Sequence, residues 1–241
     1  MQTMTRAIRL IGLVCVLAIG LFATTMRQTG AAQGSPAAAA TTIGGTVVNA
    51  ASGKPEAGVW VIAETTLQRP CRKIAVTHDQ GGFLLPDLPQ ASYDVWVRGY
   101  GLKDSPKVKA GRGQQLKLQG LDATPQEAAR IYPASHWASL IQPPAADQLP
   151  AAFGGSRDHW LADLRACNQC HQLGMIATRV YQQPGQWDKL LALNGGMNRA
   201  AHELGRPLLT GALADWVTRI RRGQMPPAPS RPLGVERTFV V

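Results

Sequence analysis

Nowhere in this sequence do lysines and arginines gather into a block with interleaved aromatics, although the formal net charge is +10. The excess is spread as net +3, +4 and +3 over residues 1–42, 43–120 and 121–241. That dispersal leaves a nucleic-acid groove without support, and no nucleic-acid partner is expected. The densest basic spot is Arg219, Arg221 and Arg222, which reads as the solvated C-terminal end of a helix, where cations complement the dipole. Charged residues are few at 17%, yet the 45% hydrophobic content is that of a globular chain, which excludes wholesale disorder. Cysteine is scarce too. Of the four, Cys15 lies in an apolar amino-terminal run, leaving Cys71, Cys167 and Cys170, an odd number unsuited to a disulfide framework.

What is present begins with that amino terminus. Arg6 and Arg9 precede the apolar run from Leu10 to Ala23, and a small-residue tract from Gly30 to Ala40 follows. The run has 14 residues, interrupted by Gly12 and Gly20, against the roughly 20 that a spanning helix needs. A basic start, a short apolar stretch and a small uncharged tail describe a secretory signal. Gly12, Leu13 and Val14 before Cys15 do not form a lipoprotein cleavage box, and there is no twin arginine. Residues 1–42 are therefore expected to be a signal peptide with a low-complexity tail. The mature protein is expected in the periplasm or otherwise exported, touching a membrane only if the segment stays uncleaved.

Residues 43–120 read as β structure. Short runs rich in valine, isoleucine and aromatics recur at Gly45–Val48, Val59–Thr65, Lys73–Thr77, Phe83–Leu85, Tyr93–Arg98 and Leu116–Leu118. Turn residues such as Ser52-Gly53-Lys54-Pro55 and Asp79-Gln80-Gly81-Gly82 separate them. Tyr93, Val95 and Val97 alternate with Asp94, Trp96 and Arg98, the pattern of a half-buried antiparallel strand. Several short strands at regular spacing predict a small sandwich. Gly45-Thr46-Val47, Gly53-Lys54-Pro55 and Gly58-Val59, followed by Thr77, Gly81, Phe83, Leu88, Pro89 and Tyr93, resemble a carboxypeptidase regulatory-like domain. Ala91 stands where that family usually has glycine. The resemblance implies an accessory β-sandwich without catalytic groups.

Residues 121–155 are punctuated by Pro125, Pro133, Pro143, Pro144 and Pro150 and read as a linker. Ile131, Tyr132, Trp137, Leu140 and Ile141 are apolar enough to pack on a neighbouring domain. From Ser156 the period becomes helical. Ser156 suits an N-cap ahead of Trp160, Leu161 and Leu164. A middle helix carries Trp187, Leu190 and Leu191. A last helix, opened by Pro207 at its first position, repeats Leu209, Leu213, Trp216, Val217 and Ile220 and stops at Gly223. Three helices make a core small enough to need a cofactor, metal or disulfide staple.

Cys167-Asn168-Gln169-Cys170-His171 is the c-type haem attachment sequence. Two thiols three residues apart reach the two vinyl groups of one haem, and the adjacent histidine presents its imidazole to the iron. One covalent haem c, held by Cys167, Cys170 and His171, is the expected cofactor. The same five residues also admit a CxxC redox site, which would want a thioredoxin-like βαβ context, and a zinc site, which would want a second ligand pair. A plain disulfide beside an accidental histidine is the remaining rival. Residues 156–232 resemble a class I cytochrome c domain, with the haem motif after the first helix and a closing helix at the end. Here Pro184-Gly185 stands in place of the Gly-Pro that many such domains carry after the motif.

For the second axial position the sequence offers Met197, placed in a Gly195-Gly196 loop before the closing helix as the ligand is in the resembling domains. Met225, in Gln224-Met225-Pro226-Pro227, is the alternative, and His202 would give a bis-histidine iron. Met175, four residues beyond His171, is too close to cross to the other haem face. The β and helical modules in this order also resemble the front part of larger exported proteins that continue into a streptogramin lyase-like propeller. The resulting expectation is an α+β multidomain chain: a small all-β sandwich (43–120), a proline-rich linker (121–155), a small all-α cytochrome c domain (156–232) and a tail (233–241). Its function would be single-electron transfer, as relay subunit or domain of a periplasmic oxidoreductase, without catalytic residues of its own. The redox partner would be another protein, such as a propeller-type dehydrogenase or lyase-like subunit. Two other readings stay open: a haem enzyme or gas sensor with an open distal site, and a β-sandwich interaction protein whose haem is structural.

Overall fold

The computed structural model describes residues 41–67, 69–169 and 172–241. Residues 1–40 of the signal peptide and tail expected over 1–42, and the motif residues Cys170 and His171, lie outside the described residues. Within them the chain is α+β, with two four-stranded sheets ahead of six α-helices.

The strands are β1 (Ile43–Asn49), β2 (Trp60–Thr65), β3 (Arg72–Val76), β4 (Gly82–Leu85), β5 (Tyr93–Arg98), β6 (Leu102–Lys103), β7 (Val108–Ala110) and β8 (Gln115–Asp122). One sheet runs β4-β1-β8-β6 and the other β3-β2-β5-β7. β1 pairs parallel with β8, Val47 facing Leu118, while the other strand pairs are antiparallel. The period of two explains how the sheets face one another. Val61 and Ala63 of β2 and Tyr93, Val95 and Val97 of β5 point into a core that also holds Ile43, Val47 and Leu85. Trp96 departs from the expected polar side. It is buried on the outer face, opposite Ile62 in register, with the Lys107 ammonium 4.4 Å from its ring centroid.

Two buried polar groups lock the corners. The Tyr93 hydroxyl donates to the Pro89 carbonyl at 2.7 Å. Thr77 Oγ1 donates to the Glu56 carbonyl at 2.6 Å and accepts from the Val59 amide at 3.0 Å. Gly81 sits at φ +72°, where a side chain would also collide with the Val47 carbonyl, so the turn before β4 requires glycine.

The helices are α1 (Pro125–Ala128), α2 (Ala134–Ala138), α3 (Arg157–Arg165), α4 (Pro184–Ala192), α5 (Gly195–Glu203) and α6 (Arg206–Arg221). Thr124 and Glu127 form a capping box on α1, and Ser156 caps α3 through the His159 amide. The closing helix begins one residue earlier than Pro207 predicts, with Gly205 as its cap. The proline-rich stretch contributes to this half's core: Trp137, Ile141 and Phe153 join Trp160, Trp187, Trp216 and the leucines of α6 in one apolar cluster. Arg219 is not the solvated cation its position suggests. Its side chain is 19% exposed, with Nε on Asp215 at 2.7 Å and Nη2 on the Leu140 carbonyl at 2.8 Å.

Sequence-distant contacts join the two halves. Tyr100 packs edge-on against both Trp60 and Tyr132. Arg231 pairs with the buried carboxylate of Glu56 and donates from Nε to the Tyr100 carbonyl at 2.8 Å. The tail returns to the sandwich: the Ile74 and Val241 backbones exchange hydrogen bonds of 2.7 and 2.9 Å, and Val240 bridges Ala75.

Candidate functional site

The helical half owes its interior to indole packing. Trp160 Nε1 donates to the Leu204 carbonyl at 2.8 Å, Trp216 Nε1 to the Trp137 carbonyl at 2.8 Å, and Trp187 Nε1 to the Tyr181 carbonyl at 2.9 Å. Each pairs a buried donor that would otherwise oppose folding. The indoles thus set the spacing of α3, α4, α5 and α6, which surround a cavity of ≈ 270 Å³. Leu164, Leu173, Trp187, Leu191, Leu209 and Leu213 give it an apolar wall, with Asp163 and Asn194 as polar members. Its size is near the lower end of ligand pockets, about 300 Å³.

α3 delivers Cys167 to this wall. The helix ends at Arg165 and tightens into a 3₁₀ turn, Ala166–Gln169, which sets Cys167 half-buried in the cavity lining. The chain is anchored again just beyond the motif. The Leu173 amide donates to Asn168 Oδ1 at 2.8 Å, and Thr178 Oγ1 donates to the Leu173 and Met175 carbonyls. Gly174 lies so close to α2 that a Cβ would overlap the Ala134 carbonyl. Both flanks of Cys170 and His171 are therefore fixed by specific contacts.

The methionines separate. Met197 lines the same cavity as Cys167, whereas Met225 lines another, together with Trp137, Ile176 and Arg179. Met197 is not in a loop, as the two glycines suggested, but in the first turn of α5. Asn194 Oδ1 accepts the Gly196 and Met197 amides at 2.9 and 3.2 Å, and this cap starts a helix despite the low propensity of glycine. His202 is exposed on α5 and Met175 is exposed on the loop after the motif. Among the described residues Cys71, in the sandwich, has no disulfide partner.

The donor chemistry fits a tethered haem: a thiol and a thioether sulfur reach one apolar space beside a flat indole. Among the described residues no three or more His, Cys, Asp or Glu side chains gather where they could hold a bare metal ion. His159 and Asp163 stand 3.8 Å apart on the exposed face of α3. The sequence did not reveal Asn194, Leu173 or Leu209 as cavity residues. An asparagine before two glycines, read as a cap, was the available signal for the first.

No family model matches this sequence, and no curated protein matches it. Among solved structures, an N-terminal interface mutant of the type II cohesin–X-dockerin complex from Acetivibrio cellulolyticus is similar at 20% identity. The match covers 32% of this chain and 52% of that one, with a TM-score of 0.23. A 9R-lipoxygenase from Cyanothece PCC8801 is similar at 11% identity over 54% of this chain and 25% of that one, also at a TM-score of 0.23. This chain thus spans about half of the first and a quarter of the second. Likenesses at this level assign neither family nor activity.

Proposed function

We propose that this chain is an exported mono-haem c-type cytochrome that transfers single electrons, with a carboxypeptidase regulatory-like sandwich as its accessory module. The observation that carries the reading is the meeting of Cys167 and Met197 in one apolar cavity. Cys167 and Cys170 would be the thioether tethers, His171 the proximal iron ligand and Met197 the second axial ligand. When bound, the haem supplies a one-electron iron couple.

The chain's own residues do the rest. Leu164, Leu191, Leu209 and Leu213 keep water away, which lowers the local dielectric and the reorganisation that accompanies a charge change. A methionine thioether as second donor raises the potential into an electron-accepting range and closes the position a small ligand would need. Among the described residues the cavity lining holds one carboxylate, Asp163, on the exposed face of α3 beside His159, and the reading is therefore a relay of electrons. The sandwich then offers a docking surface for a redox partner, such as a propeller-type subunit. Export is supported by the basic and apolar start of the sequence. No helix among the described residues is long and apolar enough to cross a membrane.

The test is expression with cytochrome maturation machinery, followed by haem-peroxidase staining of a denaturing gel. The native chain should stain, and a Cys167→Ser, Cys170→Ser chain should not. Met197→Ala should abolish the methionine-to-iron charge-transfer band at the red end of the spectrum, while Met225→Ala leaves it. An unstained native chain ends the cytochrome reading. If no such band exists and peroxide, oxygen or NO binds rapidly, the enzyme or gas-sensor reading replaces the relay.

A further inference from the structure

We propose that a second cavity in the helical half, built around Trp137 and Arg179, is a binding site for a small single-ring organic carboxylate. The cavity has ≈ 280 Å³ and shares no lining residue with the one that holds Cys167 and Met197. Its apolar walls come from Ala129, Trp137, Ile176, Ile220 and Met225. Its charged members are Arg130 and Arg179, and no carboxylate lines it.

Hydrogen-bond satisfaction points to the ligand. Three of the four tryptophans in this core place their indole N–H on a carbonyl. The fourth, Trp137, is only 6% exposed, and its Nε1 has no partner among the described residues. The same is true of Arg179 Nε, the other buried side-chain nitrogen left so. The two are adjacent: the Arg179 guanidinium carbon lies 4.1 Å from the Trp137 ring centroid. A buried donor without an acceptor costs about 1–3 kcal/mol, more if charged, so two side by side mark a place where acceptors are missing.

Stacking on an indole face steadies the guanidinium but accepts none of its hydrogens. Burial pushes the Arg179 pKa below its ordinary value, without bringing the group near neutrality at physiological pH. A carboxylate offers the two acceptor oxygens that a guanidinium fork and an indole N–H need. The apolar remainder of the wall selects a ligand with an apolar body over an inorganic anion. Met225 then has a role as wall, and the site stands whether or not the chain carries haem.

The experiment is a calorimetric titration of the full chain, made with and without cytochrome maturation, using benzoate, its neutral isostere benzamide, and inorganic phosphate. Benzoate should bind saturably at one site to both preparations, and benzamide and phosphate should not. Arg179→Met should abolish binding, and Trp137→Phe, which keeps the ring but removes the N–H, should weaken it about tenfold. Benzamide binding as well as benzoate, undiminished binding in Arg179→Met, or no saturable binding to the haem-loaded chain would overturn the proposal. Where a variant does not fold, the benzoate-against-benzamide contrast on the native chain decides alone.

Discussion

In the sandwich, Ile43, Val47, Val61, Tyr93, Val95 and Val97 meet across two sheets with no exposed area at all, and its buried polar groups Thr65, Thr77, Tyr93 and Glu56 all find partners, Glu56 in part from Arg231. In the helical half, Trp160 and Trp216 are as fully buried, yet among the described residues two buried side-chain nitrogens there, Trp137 Nε1 and Arg179 Nε, have no acceptor. Both regions obey the same rules of burial. They differ in whether the protein's own side chains complete the interior. A sandwich completed by itself is a scaffold. A small helical core with buried donors left unmatched has room for a ligand that supplies the acceptors.

The comparison breaks most visibly at Trp216. Its replacement by alanine removes a fully buried indole and its bond to the Trp137 carbonyl, and should cost about 3–5 kcal/mol. Calorimetry should show a lowered helical transition while the sandwich transition stays in place. A single transition that moves as a whole would mean that the two regions melt together. Arg231→Ala acts on the other half. It leaves the buried Glu56 carboxylate with Asn49 Nδ2, at 2.8 Å, as its remaining side-chain donor. A loss of about 2 kcal/mol in urea unfolding is expected, confined to the sandwich.

The smallest effect is Tyr93→Phe, about 1 kcal/mol at neutral pH through the lost bond to Pro89. Here the pH dependence carries the information. Burial, aided by the nearby Cys71 thiolate and opposed by Arg112, raises the Tyr93 pKa above its ordinary 10.0. A folded-state pKa raised in this way gives stability that is fully present below pH 10.0 and is lost as pH climbs through the folded value. The native chain should therefore lose stability above that pH faster than Tyr93→Phe does, as alkaline urea titrations would record.

The same contrast shows what the sequence could disclose. The six long strands were legible because each alternates or runs apolar between turn residues, and period two leaves little choice of face. β6 and β7 were not, because two- and three-residue strands carry no period. Ser156 and the spacing of Trp160, Leu164, Leu209 and Leu213 announced their helices. Gly195-Gly196 hid one, since a good cap at Asn194 outweighed poor propensity. The Cys167-Asn168-Gln169-Cys170-His171 pattern is local, so the haem proposal it prompts needs no knowledge of the packing. That Met197 shares a cavity with Cys167 and Met225 does not follows from helix packing, which no local pattern encodes. The unsatisfied nitrogens of Trp137 and Arg179 were invisible for the same reason: a missing acceptor is a property of neighbours.

The return of the tail to β3 bears on the order in which the protein assembles. β3 is the last strand of its sheet, and residues 239–241 supply the backbone partners of Ile74 and Val76. Until those residues are in place, that side presents open amides and carbonyls, the template on which foreign strands assemble. Arg231 and Arg237 then bind partners 175 and 158 residues upstream. Contacts of such separation form late and slowly. The helical segment lies inside the loop these contacts close, so a chain stalled before residue 239 would leave β3 without its backbone partners and adhesive at that edge.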